Sequence, residues 1–268
     1  MPAILCPRCH KIVSPDAETC PHCGQRKPGL WGATATMRKL GLQLDFPHLI
    51  TVVCGALYLL MLALDPGAIF ESLDMMRILS PSNIASLKAG ATGMIPIYQY
   101  DLWWTPITAI YLHGGLLHIF FNMMWVRQLG PVVEDLFGPF RLFAIFTVAG
   151  ITGFLLSTLV GHAITLGASG SIFGLLAAAI AYGRRTGAQL FTRQFLQWAV
   201  LLFIMGFVFP GVDNWAHGGG FIGGYAVAYV FSRSQEREGI SAYLIGGLCL
   251  LATVGAFALQ FIAILGMR

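Results

Sequence analysis

The residue types able to do chemistry stand in four places. Ser169 lies in Gly167-Ala168-Ser169-Gly170-Ser171-Ile172-Phe173-Gly174, at the mouth of an apolar run closed by Arg184 and Arg185. His217 lies in a later glycine-rich run, Ala216-His217-Gly218-Gly219-Gly220-Phe221-Ile222-Gly223-Gly224. His113, His118 and Asn122 share a third run, and Cys6, Cys9, Cys20 and Cys23 cluster near the N-terminus. A serine among small residues has two explanations. Small residues at a four-residue spacing, as in Gly170-x-x-x-Gly174, let helix backbones approach closely. Alternatively, the glycines let a substrate backbone reach a nucleophile, which then needs a base elsewhere in the chain. His217 is the candidate base.

His118 and Asn122, four residues apart, share a helix face. Polar groups at membrane depth are costly and turn toward a bundle interior or cavity. They serve either as hydrogen bonds between helices or as donors to a developing negative charge. Metal-dependent proteolysis is not supported: there is no His-Glu-x-x-His, and Asp101 is far away in sequence. An aspartyl mechanism needs two membrane-embedded aspartates, whereas Asp65, Asp135 and Asp213 all fall at the ends of apolar runs.

The elements that must position these residues follow from composition. The chain has 268 residues, 56% hydrophobic and only 10% charged, with a mean hydropathy of +0.72. Soluble domains carry about 25% charged residues, so lipid is expected to be the main solvent. Apolar runs near His48–Leu64, 112–130, 140–160, 169–183, 195–210, 215–232 and 242–266 read as seven transmembrane helices. Residues 66–105, with Glu71, Asp74, Arg77, Lys88 and Asp101, lack about 20 continuous apolar residues and are expected on or partly in the membrane. Tyr98, Tyr100 and Trp103-Trp104 in that segment suit the interfacial belt. His48 and His162 read as interfacial, Cys54 and Cys249 as packing residues. The first apolar run begins too late for a cleaved leader and reads as a retained span.

Cys6-Pro7-Arg8-Cys9 and Cys20-Pro21-His22-Cys23 are separated by ten residues. Two such turns close a four-thiolate zinc site, with His10 and His22 to spare. The pattern resembles a zinc ribbon over residues 1–27, whose small core the metal would hold together. Residues 28–45 read as a linker and 46–268 as the membrane domain. With the N-terminus inside, Arg8, Lys11, Arg26, Lys27, Arg38, Lys39, Arg127, Arg141, Arg184, Arg185, Arg193, Arg233 and Arg237 fall on inner segments, and only Arg77, Lys88 and Arg268 on outer ones. That positive-inside bias puts the thiols in a reducing compartment and Ser169 and His217 toward the outer face. The net charge of +4 is spread between apolar runs, so nucleic-acid binding is not indicated.

Taken together, Gly167-x-Ser169-Gly170, Ala216-His217-x-x-Gly220-x-x-x-Gly224, His118-x-x-x-Asn122 and Glu134 after Leu129-Gly130-Pro131 resemble the rhomboid family of intramembrane serine proteases, from about Phe46 to Ser232. The resemblance implies an all-α membrane protein: a six-helix core plus one C-terminal helix, behind the zinc ribbon. It implies Ser169 as nucleophile and His217 as its base, a dyad without a third acid, with the Phe173 ring stacked on the histidine. His118 and Asn122, with the Ser169 N–H, would form the oxyanion hole, and Gly167, Gly170 and His113 would support them. The implied substrates are transmembrane segments of membrane proteins, and the implied location is the bacterial inner membrane. No cofactor beyond the structural zinc is implied; the ribbon is left as a contact for a soluble partner or for self-association. Where the family often has Trp-Arg before the second span, this chain has Trp104-Thr105, which bears on the tethering of that loop rather than on the chemistry. Two other classes compete. A catalytically silent relative that binds membrane proteins for quality control usually lacks the serine or histidine, and a small-solute transporter would show an inverted repeat.

Overall fold

The computed structural model describes residues 4–6, 9, 11–14, 17–26, 28, 45–67, 79–232 and 239–266. Residues 29–44 of the expected linker, the stretch with Glu71, Asp74 and Arg77, His10, and Arg8, Lys27, Arg38, Lys39, Arg233, Arg237 and Arg268 lie outside the described residues.

A two-stranded antiparallel hairpin, β1 (Ile4–Leu5) and β2 (Ile12–Val13), opens the chain. Nine α-helices follow among the described residues: α1 (Phe46–Leu64), α2 (Asn83–Ala89), α3 (Thr105–Thr108), α4 (Leu116–Phe137), α5 (Pro139–Leu159), α6 (Ser169–Thr186), α7 (Gln189–Val208), α8 (Asn214–Ser232) and α9 (Ile240–Gly266). Local chemistry explains several ends. Asp45 Oδ1 accepts the His48 N–H at 2.9 Å to cap α1, and Pro47 sits in its first turn, where no N–H is missed. Gly187 closes α6 in the left-handed region, just after Arg184 and Arg185 complement the carbonyl end.

Helices α1, α5, α7 and α9 are long and apolar enough to cross a membrane, and α4 joins them if it is taken with the bent segment Thr105–Tyr111 before it. The protein is therefore a multi-pass membrane protein. Helices α6 and α8 fall short: α6 opens on Ser169-Gly170-Ser171 and closes on Arg184 and Arg185, and α8 carries Asn214, His217 and five glycines. Their surroundings explain that: α6 is buried along almost its whole length against α5 and α8. A helix that faces protein needs close approach more than greasiness. The glycines supply it. A Cβ on Gly220 would collide with the Gly170 carbonyl, one on Gly224 with Gly174, and one on Gly153 would lie 2.5 Å from the Ala216 carbonyl oxygen.

The second expected span begins later and runs further than its hydropathy suggests. Residues 112–115 are a loop, because Gly114-Gly115 turns the chain by 91° between Thr105–Tyr111 and α4. Pro131 does not end α4, which continues to Phe137. Helix α9 buries Ala242, Gly246, Thr253, Ala256 and Gln260 along one stripe and leaves Leu244, Leu248, Leu251 and Ile262 exposed, as lipid would require.

Residues 79–111 fold back into the bundle rather than lying on it. Ala91, Thr92, Ile97, Thr105, Thr108 and Ile110 are buried, while Tyr98, Tyr100 and Trp103 face outward. The Thr105 hydroxyl donates to the Leu102 carbonyl at 2.8 Å and lies 3.0 Å from the Thr92 hydroxyl. Thr92 in turn pairs with Thr165, with N···O distances of 3.0 and 2.7 Å, so this segment supports the stretch leading into α6.

Candidate active site

Ser169 is the first residue of α6 and is half-buried. The opening N–H groups of a helix have no partner within it and carry partial positive charge. The Ser169 backbone therefore presents donors beside its own hydroxyl. Ser171 is fully buried, its Oγ turned toward Gly150 of α5, where an added Cβ would lie 2.5 Å from it. The two serines are thus separated by burial as well as by about 200° of helical turn.

His217 lies in the first turn of α8 and is buried. Phe173, one turn after Ser169, stacks on its imidazole with ring centroids 4.3 Å apart and planes 18° from parallel. Gly170, next to Ser169, faces Ala216, next to His217: a Cβ there would lie 3.1 Å from the Ala216 carbonyl oxygen. The ends of α6 and α8 that carry Ser169 and His217 therefore meet. No hydrogen bond joins the Ser169 hydroxyl to His217 among the described residues.

His217 has a partner that sequence reasoning overlooked. Asn214 Oδ1 lies 3.1 Å from His217 Nδ1, one turn earlier on the same helix. With the amide oxygen as acceptor, Nδ1 carries the proton and Nε2 is left with its lone pair. The i, i+3 spacing was the available signal. Asp213, at the end of an apolar run in the sequence, adds a second tie. Its Oδ1 accepts the Ala216 N–H at 3.0 Å, while Oδ2 accepts from the hydroxyls of Ser157 and of Thr165, the latter at 2.8 Å. His162 Nδ1 approaches the same oxygen at 3.5 Å. One carboxylate thus ties α5, the stretch before Ser169 and the start of α8.

The third cluster comes from the start of α4. His118 accepts the Gly114 N–H on Nδ1 at 3.2 Å, which leaves the proton on Nε2. That nitrogen is turned to Gly167, where φ is +129° and a Cβ would lie 2.7 Å from it. Gly167 is thus a position where both backbone conformation and space exclude a side chain. The His113 ring packs edge-on to His118 at 5.1 Å; it is fully buried, and neither of its nitrogens has a hydrogen-bond partner among the described residues. Asn122 is buried one turn below, its Nδ2 donating to the His118 carbonyl at 2.8 Å and its Oδ1 without a partner among the described residues. The structure therefore gathers Phe173 with His217, and His118 with Gly167. No contact joins Asn122 to Ser169 among the described residues.

At the N-terminus, the sulfurs of Cys6, Cys9, Cys20 and Cys23 all lie within 4.8 Å of one another and form no disulfide. Cys6 and Cys23 are 3.6 Å apart and Cys9 and Cys20 3.7 Å. Four thiolates bonded to zinc at about 2.3 Å sit about 3.8 Å apart at the corners of a tetrahedron, so the set fits that ion. Desolvation raises the Cys20 thiol, but the backbone N–H groups of His22 and Cys23 outweigh it and bring it down to about 7. Cys23 is pushed the other way, up to about 12, by desolvation and by the Cys9, Cys20 and Cys6 sulfurs, so the four thiols titrate as one cluster.

Comparison with known proteins agrees with these features. A family model for the rhomboid domain matches residues 100–234, half of the chain, and one for a zinc-ribbon domain matches residues 3–26. RHOMBOID-like protein 1 of Arabidopsis thaliana is 33% identical over 168 residues, covering 60% of this chain and 43% of the relative. RHOMBOID-like protein 7 of the same plant is 34% identical over 175 residues, covering 63% and 56%. Rhomboid protease GluP of Bacillus subtilis is 35% identical over 130 residues, covering 47% and 25%. The chain thus spans about half the length of the first two relatives and a quarter of the third. Some relatives bear the word protease in their names and others only rhomboid-like. With that match and a zinc-ribbon domain ahead of it, the chain belongs to the rhomboid family.

Proposed function

We propose that the protein is an intramembrane serine endopeptidase that cleaves transmembrane segments of other membrane proteins. The observation that carries this reading is the stack of Phe173 on His217, because it brings the helix that begins with Ser169 to a histidine whose Nδ1 is held by Asn214 and whose Nε2 keeps its lone pair to act as a base. In this reading His217 Nε2 takes the Ser169 hydroxyl proton as Oγ attacks the scissile carbonyl carbon. The carbonyl oxygen gains the charge and is met by the Ser169 N–H, His118 Nε2–H and an Asn122 amide N–H once the amide swings from the His118 carbonyl. Losing one such donor costs on the order of 10²–10³ in kcat. His217 then gives its proton to the departing amine, and water repeats the cycle on the acyl-enzyme. Asn214 holds the tautomer throughout, the task a carboxylate performs in a triad.

Seven spans position this site: α1 and α4–α9. The positive-inside bias sets the N-terminus in the cytoplasm and Ser169 and His217 toward the outer face. Cys6, Cys9, Cys20 and Cys23 would hold a zinc ion that stabilises the ribbon and takes no part in cleavage. The ribbon serves as a contact for a cytoplasmic partner.

The test is cleavage of a panel of membrane-spanning substrates by purified protein, beside a Ser169→Ala control. Cuts within transmembrane segments that vanish in the control support the reading. A well-folded wild-type protein that cuts nothing, yet retains membrane proteins on affinity capture, would replace it with a binding role.

A further inference from the structure

Helix α9 lies beyond the residues matched by the rhomboid domain. Its apolar run is broken by Gln260, which is buried. A glutamine at membrane depth is costly unless its amide is used, and here both ends of the amide are. Oε1 accepts the Trp104 indole N–H at 2.9 Å, and Nε2 donates to the Leu87 and Lys88 carbonyls at 3.2 and 3.0 Å. The last carbonyls of α2 have no partner within that helix; that of Leu87 accepts the Gly90 N–H at 3.1 Å, and Gln260 adds a second bond there and one at Lys88. One side chain therefore joins the beginning and the middle of the folded-back segment. One turn earlier, the Phe257 ring lies 5.8 Å from that of Tyr111, near the segment's end.

This segment is the platform under the stretch that enters α6. Thr92 and Thr165 exchange backbone hydrogen bonds, Met94 N–H reaches the His162 carbonyl at 2.8 Å, and Ile95 N–H reaches that of Ala163 at 3.1 Å. Gly167 N–H donates to the Ala109 carbonyl at 2.9 Å. A continuous set of hydrogen bonds thus runs from Gln260, through residues 87–109, to Gly167, two residues before Ser169.

We infer that Gln260 is a positioning residue: α9 braces the folded-back segment, and through it the backbone that presents Ser169. The inference rests on the reading of Ser169 as nucleophile for its effect on turnover, but not for the brace itself. Spatial continuity alone does not establish coupling, so the test uses a double-mutant cycle with two readouts on the full chain, amide hydrogen exchange and cleavage. Gln260→Leu removes three hydrogen bonds, and exchange over residues 87–105 should quicken by about tenfold. Exchange in α5, α6 and α8 should stay unchanged. Turnover should fall by a similar factor with KM within about twofold, the pattern of a misplaced reacting group rather than weakened binding. Trp104→Phe removes one bond and should cost about threefold, and the double variant should be no worse than Gln260→Leu alone. Gln260→Glu keeps the acceptor for Trp104 and should lie between wild type and Gln260→Leu. If Gln260→Leu fails to insert, Trp104→Phe and Gln260→Glu decide the matter by the same readouts. Unchanged exchange in these variants overturns the inference, as does uniform loosening of all helices. If the wild type shows no Ser169-dependent cleavage, the protease reading falls, while exchange still decides whether α9 braces the segment.

Discussion

Asn214 Oδ1 lies 3.1 Å from His217 Nδ1, on the turn of α8 that also carries the ring stacked by Phe173. The imidazole is thus held on an edge and on a face at once. Packing alone would fix its plane but not its tautomer. Asn214→Leu should therefore lower kcat, by about one to two orders of magnitude, since a neutral amide gives less than the ~10⁴ attributed to a triad carboxylate. Asn214→Asp, which keeps an acceptor at Nδ1 and so enforces the Nδ1–H tautomer, should retain more activity than Asn214→Leu. The discriminating comparison is the order of kcat values, wild type and Asp above Leu. Equal values for all three would show that stacking suffices.

Asp213 is expected to matter for stability. It caps α8 through the Ala216 N–H and gathers the hydroxyls of Ser157 and Thr165. Asp213→Ala removes a cap worth about 1 kcal/mol and leaves two hydroxyls without an acceptor, for a total of about 2–4 kcal/mol. A lowered thermal midpoint in detergent checks this. A midpoint equal to wild type would mean that the carboxylate is replaceable by water.

The contact between α6 and α8 gives a steric prediction. Gly220 faces the Gly170 carbonyl so closely that any Cβ must push the helices apart. Gly220→Val should lose nearly all cleavage and destabilise the protein by about 1–3 kcal/mol or more, the usual cost of overpacking. Gly218, which has nothing within 4 Å of an added Cβ, should accept alanine with little change. Equal tolerance at the two positions, read from thermal melts and turnover, would contradict the packing described.

The ribbon should be separable from cleavage. Chelation, or Cys6→Ser, should unfold residues 4–26 because their small core depends on metal. Cleavage of a generic substrate in detergent should continue at close to the untreated rate. Zinc content, read by metal analysis beside turnover, checks both halves; loss of turnover on removal of the metal would show the two parts to be coupled.

Much of this was legible in the sequence, for physical reasons. The seven long helices follow from apolar runs, and the close approach of the helix ends that carry Ser169 and His217 follows from glycines that a helix alone in lipid would not need. The four cysteines declare their cluster by spacing. What stayed hidden depends on partners distant in the chain. Gln260 reads as a lone polar residue in the last helix, and nothing in its neighbourhood names Trp104, 156 residues away. Asn214 was within reach, three positions before His217, but an amide beside a histidine carries no distinctive pattern. The later start of α4 was obscured because Tyr111 and Leu112 are as apolar as the helix that follows, and only the Gly114-Gly115 pair marks the bend.

The central claim is that Ser169 is a nucleophile activated by His217, and covalent labelling tests it most directly. The purified protein is treated with a serine-directed fluorophosphonate and the modified peptide is located by mass spectrometry. The account predicts one phosphonylated residue, Ser169, with Ser171 untouched in its buried site. It also predicts that labelling is lost in Ser169→Ala and reduced by several orders of magnitude in His217→Ala, since the base acts on that hydroxyl. Labelling at Ser171, or labelling of Ser169 at an undiminished rate without His217, would contradict it.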